Sequence, residues 1–277
     1  MEYSVMEYIF YGFITGLSEF LPVSTQAHQY LLTYFTDFRG DSPFIKLFVY
    51  LGCIGAIVLS CGKRLVHIYR ETRVERLPKN KRNRIPDMVA VLDARLVLTG
   101  LVPIVISLVF TKSAYSFFGN IVVITLMLIL TGIAAYIPPY FPGGNRDSRD
   151  LTPGDGLLLG LLTGLSVIPG ISRTGAVICG GRLRGCSKQY ILEISFLYGL
   201  AMLIGLLIVQ IILLFIGGFH FSWMIALYGV LAASAAFGGG LISINLMRFL
   251  AVKQGFSTFA YYCWGLAVFC FAFYLIT

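Results

Sequence analysis

The chain has 277 residues, 57% of them hydrophobic and only 12% charged, whereas a soluble domain carries about 45–50% apolar and about 25% charged residues. That balance excludes a soluble enzyme and describes an integral membrane protein. The net charge of +8 is concentrated: nine of the 21 basic residues fall between Lys63 and Arg84.

In chain order, the N-terminal MEYSVMEYIF is acidic and runs straight into apolar sequence. It lacks the basic start of a signal peptide, so the first apolar element is expected to be retained. That element is interrupted at once by TGLSEFLPVST (15–25), where Gly16, Pro22, three hydroxyl-bearing residues beyond Thr15 and the carboxylate of Glu19 break the pattern. An apolar run at 44–62 leads into a basic loop at 63–88, which the positive-inside tendency assigns to the cytoplasm. Nucleic acid is not expected there, because the loop is tethered between spans and Tyr69 is its one aromatic residue for base stacking. Orientation and attraction to anionic lipid heads account for the charge.

Further apolar runs follow at 90–110 and 121–137, then a second interrupted segment, TGLSVIPGISRT (163–174), and long runs at 189–216, 221–247 and 256–276. A hydrocarbon core of about 30 Å takes roughly 20 apolar residues per helix. The pattern predicts an all-α polytopic membrane protein of about eight hydrophobic elements. The six cysteines show no C-x-x-C spacing and read as small buried hydrophobes.

The two interrupted segments are related. Thr15-Gly16-Leu17-Ser18 recurs as Thr163-Gly164-Leu165-Ser166, and Val23-Ser24 as Ile171-Ser172, all at one offset of 148 residues, with Pro22 and Pro169 displaced by one. This divides a single transmembrane domain into pseudo-repeat halves of about 1–140 and 150–277. Paired Gly/Pro-interrupted segments in corresponding halves point to a site made of broken helices. A pair of proline-kinked helices packed through small residues is the simpler alternative.

The charges weigh against kinks alone. Glu19 and Glu193 lie deepest in apolar sequence, Asp93 and Asp155 near segment starts, and Arg173 directly follows the second break. Ionisable groups at membrane depth are costly and default to function. If the two copies meet, Glu19 and His28 from one join Arg173, Ser172 and Thr174 from the other. An arginine fork matches phosphate oxygens, and free amides at a helix N-terminus add positive potential, so the site suits a phosphorylated headgroup. Glu193 is expected to pair with Arg182, Arg184 or Lys188, while His67 in the basic loop and His220 in a short turn receive no catalytic role.

Three stretches carry a family resemblance. GLSEFLPVSTQAH (16–28) resembles the G-[LT]-[TS]-E-F-L-P-[IV]-S-S-[ST]-G-H signature of the undecaprenyl-pyrophosphate phosphatase family, the bacitracin-resistance type of membrane phosphatase. PGISRTGAVICGG (169–181) resembles its P-G-x-S-R-S-G-A-T motif, and FSTFAYYCWGLAV (256–268) its C-terminal F-x-P-F-A-x-Y-R region. The resemblance implies an inverted repeat with two re-entrant broken helix pairs and about six full transmembrane helices. It also implies hydrolysis of undecaprenyl pyrophosphate in the bacterial cell membrane, recycling a carrier for envelope polysaccharide synthesis.

By position, Glu19 matches the second glutamate of the family's E-x-x-x-E, Thr25 its proposed serine nucleophile, His28 its histidine and Arg173 its phosphate-binding arginine. Ser24, Gly170, Ser172 and Thr174 complete the phosphate-binding set. Thr15 stands where the first glutamate is expected, Ala27 replaces the motif glycine and Val177 the closing threonine. Two routes fit: attack by Thr25 or Ser24 with His28 or Glu19 as base, or a water positioned by Glu19, which is also the candidate ligand for Mg2+ or Ca2+. A transporter or flippase for polyprenyl-phosphate lipids is the alternative from another class, and a lipid-sequestering protein a third. The lipid and the bilayer are the expected partners, and a homodimer stays open.

Overall fold

The computed structural model describes residues 4–36, 38, 40–141, 144–217, 222–253 and 255–276. Helices account for nearly all of them: α1 (Val5–Phe20), α2 (Thr25–Thr36), α3 (Pro43–Arg76), α4 (Met88–Val109), α5 (Thr111–Phe118), α6 (Ile121–Tyr136), α7 (Pro153–Gly164), α8 (Arg173–Leu183), α9 (Lys188–Gly217), α10 (Trp223–Lys253) and α11 (Thr258–Ile276). Six are long and apolar enough to cross a membrane: α3, α4, α6 with the turn that extends it, α9, α10 and α11. The chain is a multi-pass membrane protein.

The remaining pairs are hairpins. α1 and α2 have 16 and 12 residues, α7 and α8 have 12 and 11; at 1.5 Å per residue none exceeds about 24 Å, short of a bilayer core. Each hairpin is followed by three long helices, α3, α4 and α6 in one half and α9, α10 and α11 in the other. Packing is reciprocal. α1 lies on α10 and α7 on α4, α3 packs on α9, and α6 packs on α11, the exchange a pseudo-two-fold relation produces. An odd number of crossings after the first hairpin makes the second enter from the opposite side.

Helix starts follow local chemistry. A capping box of Ser4 and Glu7 opens α1, and one of Thr152 and Asp155 opens α7, each satisfying otherwise free N-terminal amides. The basic stretch departs from expectation: residues 63–76 are not a loop but the last turns of α3. Lys, Arg and Glu are good helix formers, and helix continues until Pro78 disfavours it. The connection that follows is held by Glu71, which accepts from Arg84 at 2.6 and 2.7 Å and from the Asp87 amide at 2.9 Å. His67 lies 3.0 Å from Asp87 and holds that carboxyl below the usual carboxylate range. His220 lies outside the described residues.

Glu193 does not pair with its sequence neighbours. Arg248 of α10 donates to both its oxygens at 2.7 and 3.1 Å, with Arg64 at 3.8 Å, while Arg184 binds Asp155 and Arg182 donates to the Cys186 carbonyl at 2.6 Å. Arg64 also donates to Asp93 at 2.8 Å and Tyr190 to Asp93 at 3.0 Å. This network ties α3, α4, α9 and α10 together at the basic end. At the opposite end the described basic residues are Lys46 and Lys112.

Candidate active site

Both hairpins break at their tips, and the tips meet. Leu21 leaves α1 in extended conformation, a turn closed by the Val23 amide on the Leu21 carbonyl at 2.9 Å follows, and the break ends at Ser24, whose φ of 67° is unusual for a residue with a side chain. Its position is secured by its Oγ, which accepts from the Ala27 amide at 3.4 Å, capping α2, and from the Gly170 amide of the other tip at 3.2 Å. Ser172 caps α8 by accepting from Gly175 at 3.3 Å and donates to the Leu21 carbonyl at 3.4 Å. Thr131 of α6 holds the second tip from behind, donating to the Gly170 carbonyl at 2.7 Å and accepting from the Ser172 amide at 3.0 Å.

Gly170 has φ +102°, and a Cβ there would run into Met127. Gly170→Ala therefore combines backbone strain with a clash. It is expected to destabilise the protein by about 1–3 kcal/mol from the strain alone, seen as a lowered thermal midpoint in detergent, whereas an unchanged midpoint would show that the tip tolerates a side chain.

At the centre, Arg173 opens α8 and reaches back to the end of α1. Its Nη1 donates to Glu19 Oε1 at 2.6 Å and its Nη2 to the Glu19 carbonyl at 2.8 Å. Both side chains are buried, 6% and 7% exposed, so the pair is shielded from solvent and each ion needs the other. The guanidinium lies 6.0 Å from the Phe20 ring. Room for it comes from Gly199 of α9, where a Cβ would stand 2.8 Å from Nη2. Arg173 Nε and Thr174 Oγ1 are buried without a partner among the described residues.

The ion pair lines a cavity of about 30 Å³, room for a water. Ser18, Glu19, Thr25, Gln26, Gln29, Tyr50, Ser166, Ser172 and Arg173 supply its polar wall. Gln26, Gln29, Tyr50 and Leu206 also line a vestibule of about 370 Å³ that reaches the start of α3, the end of α4, α5 and the outer part of α9. It therefore opens at the end opposite the basic network.

Of the residues marked in the sequence, Glu19, Thr25, Ser172 and Arg173 line this cavity. Ser24 and Gly170 join the two tips behind it. His28 lies outside its lining: its Nδ1 is 2.8 Å from the Ser24 carbonyl and its Nε2 2.6 Å from the Tyr262 hydroxyl, with the two rings stacked at 5.8 Å. Donation from Nδ1 to the carbonyl leaves Nε2 to accept from Tyr262. Thr15 is fully buried and accepts from Gln29 Nε2 at 3.1 Å, a neutral link between α1 and α2.

Glu19 is the only carboxylate lining the cavity, and no group of three or more His, Cys, Asp or Glu among the described residues is placed to hold a metal. With one Glu19 oxygen on Arg173, the described residues of the cavity offer a cation a single free carboxylate oxygen. Gln26, Gln29, Tyr50 and Gly199 were not singled out by sequence; the signal for the glutamines was polarity in an otherwise apolar setting.

A family model described as "Bacitracin resistance protein BacA" matches residues 8–269. The chain belongs to the BacA family. Among its similar BacA relatives, the undecaprenyl-diphosphatase of Streptococcus mutans is 28% identical over 96% of this chain and 94% of that protein. That of Thermosipho melanesiensis is 26% identical over 95% and 97%, and that of Methanobrevibacter smithii 27% over 96% of both. BacA similarity thus runs through both hairpins and all six long helices.

Proposed function

We propose that this BacA-family protein hydrolyses undecaprenyl pyrophosphate to undecaprenyl phosphate and inorganic phosphate, recycling the lipid carrier at the bacterial cytoplasmic membrane. The observation that carries the reading is the Glu19–Arg173 contact between the two hairpin tips, 2.6 Å across a cavity that also holds Thr25. With the basic end cytoplasmic, the vestibule admits the headgroup from the outer face.

The terminal phosphate enters against Arg173, whose fork binds its oxygens and stabilises charge developing on the transferred group. Of the two hydroxyl candidates, Thr25 faces the cavity, whereas the Ser24 oxygen already accepts two amides. Of the two candidate bases, Glu19 faces the cavity, whereas both nitrogens of His28 are engaged elsewhere. The Thr25 oxygen attacks the terminal phosphorus, its proton passes to Glu19, and the bridging P–O bond breaks to release undecaprenyl phosphate. Water, deprotonated by a carboxylate that has passed its first proton to solvent, then cleaves the threonyl phosphate. His28 holds the start of α2, and hence Thr25, through the Ser24 carbonyl.

If a divalent cation such as Mg2+ or Ca2+ accompanied the diphosphate, Glu19 would be the one cavity carboxylate near it, and the ion would supply countercharge to the phosphate oxygens. Chelation with EDTA is accordingly expected to lower turnover by raising KM, with little change in kcat at saturating substrate; complete loss of turnover at every substrate concentration would instead assign a resident metal. The names of the relatives favour hydrolysis over transport. Purified protein in detergent should release phosphate from undecaprenyl or farnesyl pyrophosphate; specific lipid binding with no release, with or without magnesium or calcium, would restore the transport reading.

A further inference from the structure

α9 is apolar over most of its length, yet it carries Gln210 about six turns in. Along one face of the helix Met202 and Leu206 line the deep cavity, and Leu206, Val209, Gln210 and Leu213 line the vestibule. Gln210 is 6% exposed and makes no hydrogen bond among the described residues. Its amide faces the vestibule without a partner among the described residues, and polar residues at membrane depth mark ligand pathways. Gln26 lines the throat shared by cavity and vestibule; its buried Oε1 is an acceptor without a partner and calls for a donor, not for a phosphate oxygen. Lys112 of α5 lines the vestibule too, with no carboxylate partner among the described residues, while Lys46 is paired with Asp41 at 2.8 Å.

The spacing matches a diphosphate. Gln210 lies four residues beyond Leu206, about 6 Å along the helix axis, so it stands one phosphate further from Arg173 than the deep cavity. We propose that Gln210 and Lys112, which line the same vestibule, form a second phosphate subsite for the chain-side phosphate of the lipid diphosphate. The inference rests on the hydrolase reading, with the terminal phosphate at Arg173. When the bridging P–O bond breaks, its electron pair stays on the chain-side phosphate, and Gln210 Nε2–H and Lys112 Nζ–H donate to the oxygens that gain that charge.

The test is Gln210→Leu in the full-length, detergent-solubilised protein, a change compatible with an apolar helix. The subsite predicts that KM for undecaprenyl pyrophosphate and the inhibition constant of farnesyl monophosphate both rise about tenfold, the loss of roughly one hydrogen bond to a charged group. Inhibition by inorganic phosphate, which binds at Arg173, should stay unchanged. Gln210→Glu should weaken monophosphate binding further, by repulsion. Unchanged monophosphate inhibition, or an equal change for monophosphate and inorganic phosphate, would overturn the proposal. Direct titration of farnesyl monophosphate into wild-type and Gln210→Leu protein gives the same comparison without turnover, so absence of hydrolysis in the wild type would count against the hydrolase reading and not against the subsite.

Discussion

Arg173→Lys is expected to lower kcat for phosphate release by about 10²–10³-fold, the scale set by losing one preorganised donor to a transition-state oxyanion, and to raise KM as well. Lysine keeps the positive charge beside Glu19 but not the planar fork, and the Glu19 carbonyl and carboxylate are held by two different nitrogens of that fork. The protein should still fold, because the buried carboxylate remains compensated. Arg173→Ala is a harsher change. It leaves Glu19 buried and unpaired, a cost of about 3–5 kcal/mol, and should reduce both thermal midpoint and activity. If Arg173→Lys keeps wild-type kcat and KM, the fork is not the phosphate clamp.

Glu19→Gln should separate proton transfer from binding. The amide is nearly isosteric and its oxygen can still accept from Arg173, so the tips should stay joined, with a lowered thermal midpoint because the buried guanidinium loses its countercharge. It cannot take a proton from Thr25, and kcat should fall by about 10²–10⁴-fold, the usual contribution of a general base. KM should stay level or fall, since Arg173 is left with uncompensated positive charge facing the diphosphate. The two variants thus move KM in different directions while both reduce kcat. A Glu19→Gln protein with near-normal kcat would remove Glu19 from proton transfer and return His28 to consideration.

What could be read from the chain follows from how locally each feature is encoded. The two breaks were visible because Gly, Pro and hydroxyls interrupt apolar runs at one offset, whereas Glu19 and Arg173 could be brought to one site from the sequence only on the condition that the two copies meet. The long helices were legible from hydropathy. The end of α3 was not, because basic residues read as a loop by charge are also good helix formers, and only Pro78 marks the boundary. Glu193 took Arg248, 55 residues away, because the nearer arginines were claimed by Asp155 and the Cys186 carbonyl. His28 could be assigned to the α2 start but not to a face of it; which way it points depends on Tyr262 of α11. Of the vestibule glutamines only Gln26 falls inside a motif, and their meaning emerges only when α2 and α9 are seen to wall one space.

Central to the proposed hydrolysis is one phosphate site formed where the two broken helix tips meet. Release of inorganic phosphate from undecaprenyl pyrophosphate by the purified protein, wild type beside Glu19→Gln and Arg173→Lys, tests it most directly. Steady turnover by the wild type and its collapse in both folded variants is the predicted result. Turnover that survives in both, or specific binding of the lipid by a wild type that releases no phosphate, would contradict it.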